Sequence, residues 1–286
     1  MTLGEWLEMW LEMYVMPAGL AKSTKMGYTY AVRRTPPGLT RISLEELTPL
    51  DLRRWLLLRA ESAPRAAQIS RVMLHKALGV AAKVGLCRPG LMDEDVNPQI
   101  VHKPAKAAVL TQEQLLAYFH AAAHTDVAPA LMLMCCGLRR GEAMGVRWCN
   151  IDMQEGTLLI DGQRSSCSQA LPDPLKSEAS RRLIQLPPAL LAVLRRWPRH
   201  VSGWVCLCSS HVLYKRHAQL LKDLRLPSDV TLHGLRHSFA TAAAAQGVPL
   251  KVLQRSLGHA KFQLTADLYA DHLPSLSTVS FGLFSA

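Results

Sequence analysis

Apolar residues return at three- and four-residue steps from the start of the chain: Leu3, Trp6, Leu7, Trp10, Leu11 and Tyr14 lie on one stripe of a helix. That stripe predicts a first helix with all six side chains turned to a core. The same period governs the next segments. Ser23 to Val32 predicts a second helix, with Ser23 or Thr24 as N-cap and Pro36-Pro37-Gly38 as its stop. Thr48-Pro49 restarts a helix over Asp51 to Arg59, proline being tolerated in a first turn. A longer pattern from Arg65 to Val84 carries Arg65, Arg71, Lys76 and Lys83 and closes at Gly85. Residues 1–105 therefore read as a small all-helical domain.

Pro98, Pro104 and the stretch Lys103 to Ala108 read as a linker, which puts a boundary near residue 106. Thr111-Gln112-Glu113-Gln114 has the form of a helix start, a capping residue followed three positions later by Gln. Residues 106–286 are again mainly helical. Thr157 to Asp161 and Arg182 to Leu186 have instead the look of strands, flanking a Gly-, Ser- and Pro-rich excursion. The expected fold is mainly α: a helical N-terminal domain, then a mixed, mostly helical domain holding a small antiparallel sheet. Internal repeats and low-complexity segments are not evident.

The 286 residues carry 33 Lys+Arg against 22 Asp+Glu, a formal charge of +11, which favours a polyanionic partner with nucleic acid first. Charge alone does not separate a nucleic-acid binder from a merely soluble basic protein. Met1 to Val15 is acidic around its apolar residues, unlike a signal peptide, and the run Val127 to Leu138 is too short to span a bilayer. A cytoplasmic protein without membrane attachment is expected. Seven scattered cysteines (Cys87, Cys135, Cys136, Cys149, Cys167, Cys206, Cys208) suit free thiols in a reducing compartment. Cys206 and Cys208 form a C-x-C without a second pair at zinc-ribbon spacing, so no metal is expected there.

Four clusters carry the chemistry. In Gly137-Leu138-Arg139-Arg140-Gly141-Glu142, Gly137 ends an apolar helix and Arg139 falls at the start of the next, where main-chain N–H groups favour an anion. Glu142, three residues on, is placed to orient Arg139 or a neighbouring His. Lys176 falls at the turn of the expected hairpin, where a lysine either protects a sheet edge or donates a proton into a cleft. In Leu232-His233-Gly234-Leu235-Arg236-His237-Ser238-Phe239, His233 and Arg236 share one helix face, while Leu235 and Phe239 face the core. His233 and His237 also have the spacing of a zinc pair, but the first His lacks the following Glu of a zincin helix. In the fourth cluster Pro249 opens a helix ending at Gly258, leaving His259 at a helix C-terminus, and Tyr269 follows on the next short helix.

Taken in order, G-L-R-R-G-E, a hairpin Lys, H-G-L-R-H, L-G-H and a Tyr near the C-terminus resemble the signature of the tyrosine recombinases, the phage-integrase family, through residues 111–272. The N-terminal part resembles, more softly, that family's helical core-binding (SAM-like) domain at Glu5-Trp6-Leu7, Leu44-Glu45-Glu46-Leu47-Thr48-Pro49 and the helix from Arg65. The resemblance begins so early that no arm-site domain is expected ahead of it. It implies a site-specific DNA recombinase with Arg139, Lys176, His233, Arg236, His259 and Tyr269 as catalytic residues and Glu142 in support. It also implies double-stranded DNA as partner, a homo-tetramer on two duplexes, and a monomer or weak oligomer when free. A tail from about 273, with Leu276, Val279, Phe281 and Phe284, is then expected to dock on a neighbour.

The residue types fit this chemistry. A phosphodiester gains charge on its equatorial oxygens in the transition state, which Arg139 and Arg236 suit. Tyrosine has a reference pKa of about 10 and needs a cationic field or a base; His233 is the base candidate, with His259 bonding the phosphate. Lys176 would protonate the departing 5′ oxygen. The resulting 3′-phosphotyrosine stores the bond energy, so the reaction needs neither ATP nor a cofactor, and no Asp/Glu cluster suited to two metal ions is evident. Two alternatives stay open: a type IB topoisomerase-like nicking-closing enzyme, and a catalytically silent DNA-binding regulator on the same scaffold.

Overall fold

A computed structural model describes residues 1–93, 108–165, 171–175 and 180–258. The chain divides into two compact units, Met1–Pro104 and Ala105–Ala286. The expected linker around Pro98 and Pro104 and the tail from about 273 lie outside the described residues.

In the first unit, Thr2 and Glu5 form a reciprocal capping box that starts α1 (Leu3–Trp10). Leu3, Trp6, Leu7, Trp10 and Leu11 are buried as the stripe predicts, and the Trp6 indole donates to the Ala77 carbonyl at 2.9 Å. Tyr14 departs from the expectation. The helix continues as a single π-turn, Leu11–Val15, closed by the Met16 N–H on the Leu11 carbonyl. The wider turn adds a residue to the repeat, so Val15 takes the inward position at 2% exposure and Tyr14 turns out at 41%.

The second helix, α2 (Lys22–Arg33), starts ahead of the expected cap. Ala21 is the N-cap and makes no side-chain cap bond; its carbonyl accepts from Thr24 and Lys25, which leaves Ser23 and Thr24 inside the first turn. Beyond it the prolines do more than stop a helix, because Pro37 opens the short α3 (Pro37–Thr40). Thr48 and Asp51 cap α4 (Pro49–Ser62), and α5 (Pro64–Lys83) runs on to Gly85 at φ +76°. One apolar cluster unites these helices, including Trp6, Trp10, Leu52, Leu56, Met73 and Leu74.

In the second unit, Thr111 and Gln114 form the expected box at the start of α6 (Gln112–Ala122). Next comes α7 (Ala128–Cys135), buried on every side, and the five-residue α8 (Arg140–Met144). Strands β1 (Ile151–Asp152), β2 (Thr157–Ile160) and β3 (Arg182–Gln185) form an antiparallel sheet in that order, with Thr157 opposite Gln185 and Ile160 opposite Arg182. Strand β1 was not expected, since two residues are too few to display a two-residue period. Helices α9 (Pro188–Arg196), α10 (Ser210–Asp223), α11 (Leu232–Ala245) and α12 (Leu250–Leu257) complete the described part. The architecture is mainly α with a small antiparallel sheet.

Cys135 and Cys206 are buried free thiols and Cys149 is an exposed one; Cys167 lies outside the described residues. Among the described residues no helix is long and apolar enough to cross a membrane.

Candidate active site

The site begins where α7 stops. Gly137 adopts φ +90°, a left-handed conformation that costs glycine little, and a Cβ there would lie 2.8 Å from the Phe239 ring. Two residues later Arg139 caps α8 in an extended conformation. The sequence places an anion at this helix start, and the anion proves to be internal. The Glu142 carboxylate accepts the Arg139 main-chain N–H at 2.9 Å and the Arg139 guanidinium at 2.6 Å. Glu142 is 2% exposed, so this is no surface ion pair. Its other partner is an arginine, not a histidine: Arg182 on β3 donates at 2.9 Å.

Burial raises the Glu142 pKa, but the Arg182 hydrogen bond and charge, then the Arg139 N–H and charge, overcome it and hold the carboxyl below the usual range. Glu142 therefore stays an anion among cations.

Helix α11 supplies the second wall. Thr231 caps it by accepting the Gly234 N–H. Ser238 fixes it from within, donating to the Gly234 carbonyl at 2.7 Å and accepting the Leu110 N–H at 2.8 Å. Leu235 is fully buried and Phe239 packs between two apolar clusters, as the helical spacing requires. Arg236 donates to the Gly137 carbonyl at 2.7 Å and the Leu257 carbonyl at 2.6 Å, with its Nη1 3.8 Å from the Glu142 carboxylate.

His233 and His237 stack edge to face with ring centroids 4.5 Å apart. Desolvation, then His237 and the guanidiniums of Arg236 and Arg139, push the His233 pKa down to about 4 against the opposing pull of Glu142. His233 is therefore a neutral imidazole at pH 7. Among the described residues no group of three or more His, Cys, Asp or Glu gathers as a metal site.

The third wall is the end of α12, which Gly258 closes at φ +65°. The Gly258 carbonyl accepts from Arg139 at 3.0 Å, and the Ser256 carbonyl from Arg182 at 2.6 Å. Of the residues proposed from sequence, Arg139, Glu142, His233 and Arg236 thus come together; Lys176, His259 and Tyr269 lie outside the described residues. The sequence reading missed Arg182, a strand residue whose partners are 40 and 74 positions away. It also missed Ser238, which sits beside the motif it anchors. For Ser238 a signal existed, since a small hydroxyl on the buried face of a helix usually bonds main chain.

This fold and this order of residues define a class. A model of the phage integrase family matches residues 108–275, and the chain belongs to that family, the tyrosine recombinases. A tyrosine recombinase XerC of Mesorhizobium japonicum is 27% identical over 289 residues, covering 90% of this chain and 88% of that protein. A XerC-like tyrosine recombinase of Caldanaerobacter subterraneus is 25% identical over 187 residues, and there the match spans 48% of the relative's length. Among solved structures, the Tn1549 transposon integrase in complex with transposon right end DNA superposes with a TM-score of 0.75 at 20% identity, covering 96% of each chain.

Proposed function

We propose that this chain is a site-specific DNA recombinase that cleaves and rejoins double-stranded DNA through a 3′-phosphotyrosine bond to Tyr269. The observation that carries the reading is the convergence of Arg139, Glu142 and Arg236 with the carbonyl end of α12, the helix that leads in sequence to His259 and Tyr269. Two fixed guanidiniums give paired N–H donors for the non-bridging oxygens of a phosphodiester, and charge-assisted bonds strengthen as charge grows in the transition state.

The neutral imidazole of His233 accepts the Tyr269 proton as the phenolate oxygen bonds to phosphorus. The bond from phosphorus to the 5′ oxygen breaks, and Lys176 supplies the proton to that leaving oxygen. Attack by a DNA 5′-hydroxyl on the phosphotyrosine runs the same steps backward and reseals the strand. His259 donates to the phosphate. Residues 1–105 serve as a core-binding domain and residues 106–286 as the catalytic domain, with the excess of positive charge matching a polyanion. Four protomers on two duplexes perform complete exchange, and the tail from about 273 docks on a neighbour.

The test is recombination between two plasmids carrying candidate sites. Recombinant products, lost in Tyr269→Phe, are expected. Relaxed plasmid without exchange would favour a nicking-closing enzyme, and tight binding with neither product would favour a silent regulator.

A further inference from the structure

The last turn of α12 leaves carbonyls that no helical N–H can reach, and three in succession are taken by guanidiniums from three separate segments. Arg182 Nε donates to Ser256 at 2.6 Å, Arg236 Nη2 to Leu257 at 2.6 Å and Arg139 Nη2 to Gly258 at 3.0 Å. The same arginines surround one carboxylate: Glu142 bonds Arg139 at 2.6 Å and Arg182 at 2.9 Å, with Arg236 at 3.8 Å. Arg139 and Arg236 have roles in the proposed reaction; Arg182 has none.

We propose that Arg182 is a positioning residue of the strand-transfer site, locking Glu142 and the end of α12 so that Arg139 and the chain leading to His259 and Tyr269 meet the phosphate in register. This rests on the recombinase reading. The Arg182 side chain is buried with all three of its nitrogens committed to acceptors inside the protein, so it acts through its partners rather than on DNA. Each side-chain nitrogen has its own acceptor: Nε the Ser256 carbonyl, Nη1 the Ser180 carbonyl at 2.9 Å, and Nη2 the Glu142 carboxylate. Strand β3, helix α8 and helix α12 thereby share one rigid fork. A lysine ammonium reaches these three directions poorly, being a compact charge on a flexible stem. Arg182 is also the foremost partner keeping Glu142 ionised, and an ionised Glu142 is what orients Arg139.

The experiment measures single-turnover formation of the covalent adduct on a nicked suicide duplex carrying the site. It compares wild type, Arg182→Gln, Arg182→Lys, Glu142→Gln and the Arg182→Gln/Glu142→Gln double variant, at a temperature where circular dichroism shows each folded. Arg182→Gln is expected to slow adduct formation at saturating DNA by about 10²-fold, the cost of a small misplacement, while the half-saturating DNA concentration stays near wild type. Arg182→Lys should fall between. In the Glu142→Gln background Arg182→Gln should cost clearly less than in wild type, because the shared Glu142 contact is already weakened and mainly the hold on the Ser256 carbonyl remains to be lost.

A wild-type rate in folded Arg182→Gln overturns the proposal. So does a loss confined to DNA affinity, or effects of the two substitutions that simply multiply. Should Arg182→Gln fail to fold, Arg182→Lys decides, with a wild-type rate refuting the role and a slowed rate at saturating DNA supporting it. Absence of any adduct from wild type refutes the recombinase reading, and the positioning role with it.

Discussion

The Arg182 guanidinium meets the Glu142 carboxylate at 2.9 Å, with the two side chains only 7% and 2% exposed. An ion pair this deep is expensive to break from one side, since the remaining charge stays buried. Glu142→Ala is therefore expected to lower stability by about 3–5 kcal/mol in urea unfolding, the range for removing one partner of a buried pair. Glu142→Gln, which keeps an acceptor oxygen, should cost less. A loss under about 1 kcal/mol for the alanine variant would mean that the pair is solvated, as at a surface.

Acid should destabilise the protein before its carboxylates titrate. His217 is held neutral, accepting from the Tyr118 hydroxyl at 2.8 Å and donating to the Val230 carbonyl at 2.8 Å. Desolvation lowers its pKa, and lowers those of His233, to about 4, and His237 as well. The unfolded chain takes up these protons near pH 6.5 while the folded one does not, so stability is full above that pH and declines toward pH 4. Glu142, whose folded pKa is depressed, adds to the loss below its ordinary value of 4.5. Urea midpoints from pH 8 to 4 should fall monotonically below about 6.5. A midpoint that holds or rises between pH 7 and 5 would contradict these shifts.

Gly137 couples a backbone conformation to the site. An alanine there would strain φ +90° and press on the Phe239 ring at 2.8 Å and on Leu257 at 3.1 Å. Gly137→Ala is expected to cost about 1–3 kcal/mol in unfolding experiments. Adding Phe239→Leu should recover only part, because the dihedral penalty remains. Full recovery would show that the ring contact alone made the glycine necessary.

Features written over a few neighbouring residues were legible in the sequence. The helix start at Thr48-Pro49, the box at Thr111 with Gln114, strands β2 and β3, and the two faces of α11 follow from local chemistry and spacing. What was hidden depended on backbone detail or on distance along the chain. Tyr14 has the spacing of a core residue, and only the π-turn turns it outward. Ala21 displaces Ser23 and Thr24 as the cap because its carbonyl, rather than a side chain, begins the helix. Arg182 looks like one more basic residue at a strand edge until folding sets it against Glu142, 40 positions away. Within the site, the motifs pointed to Arg139, Glu142, His233 and Arg236 but not to the arginine that ties Glu142 to α12.

The most direct test of the account is the nucleophile. Wild type and Tyr269→Phe would be incubated with a nicked suicide duplex carrying the candidate site, quenched in SDS and examined for a protein–DNA adduct. A phosphotyrosine mechanism requires an adduct in wild type, mapped by peptide mass to Tyr269, and none in Tyr269→Phe at equal DNA occupancy. An adduct of equal yield in Tyr269→Phe, or none in a wild type that occupies its site fully, would contradict it.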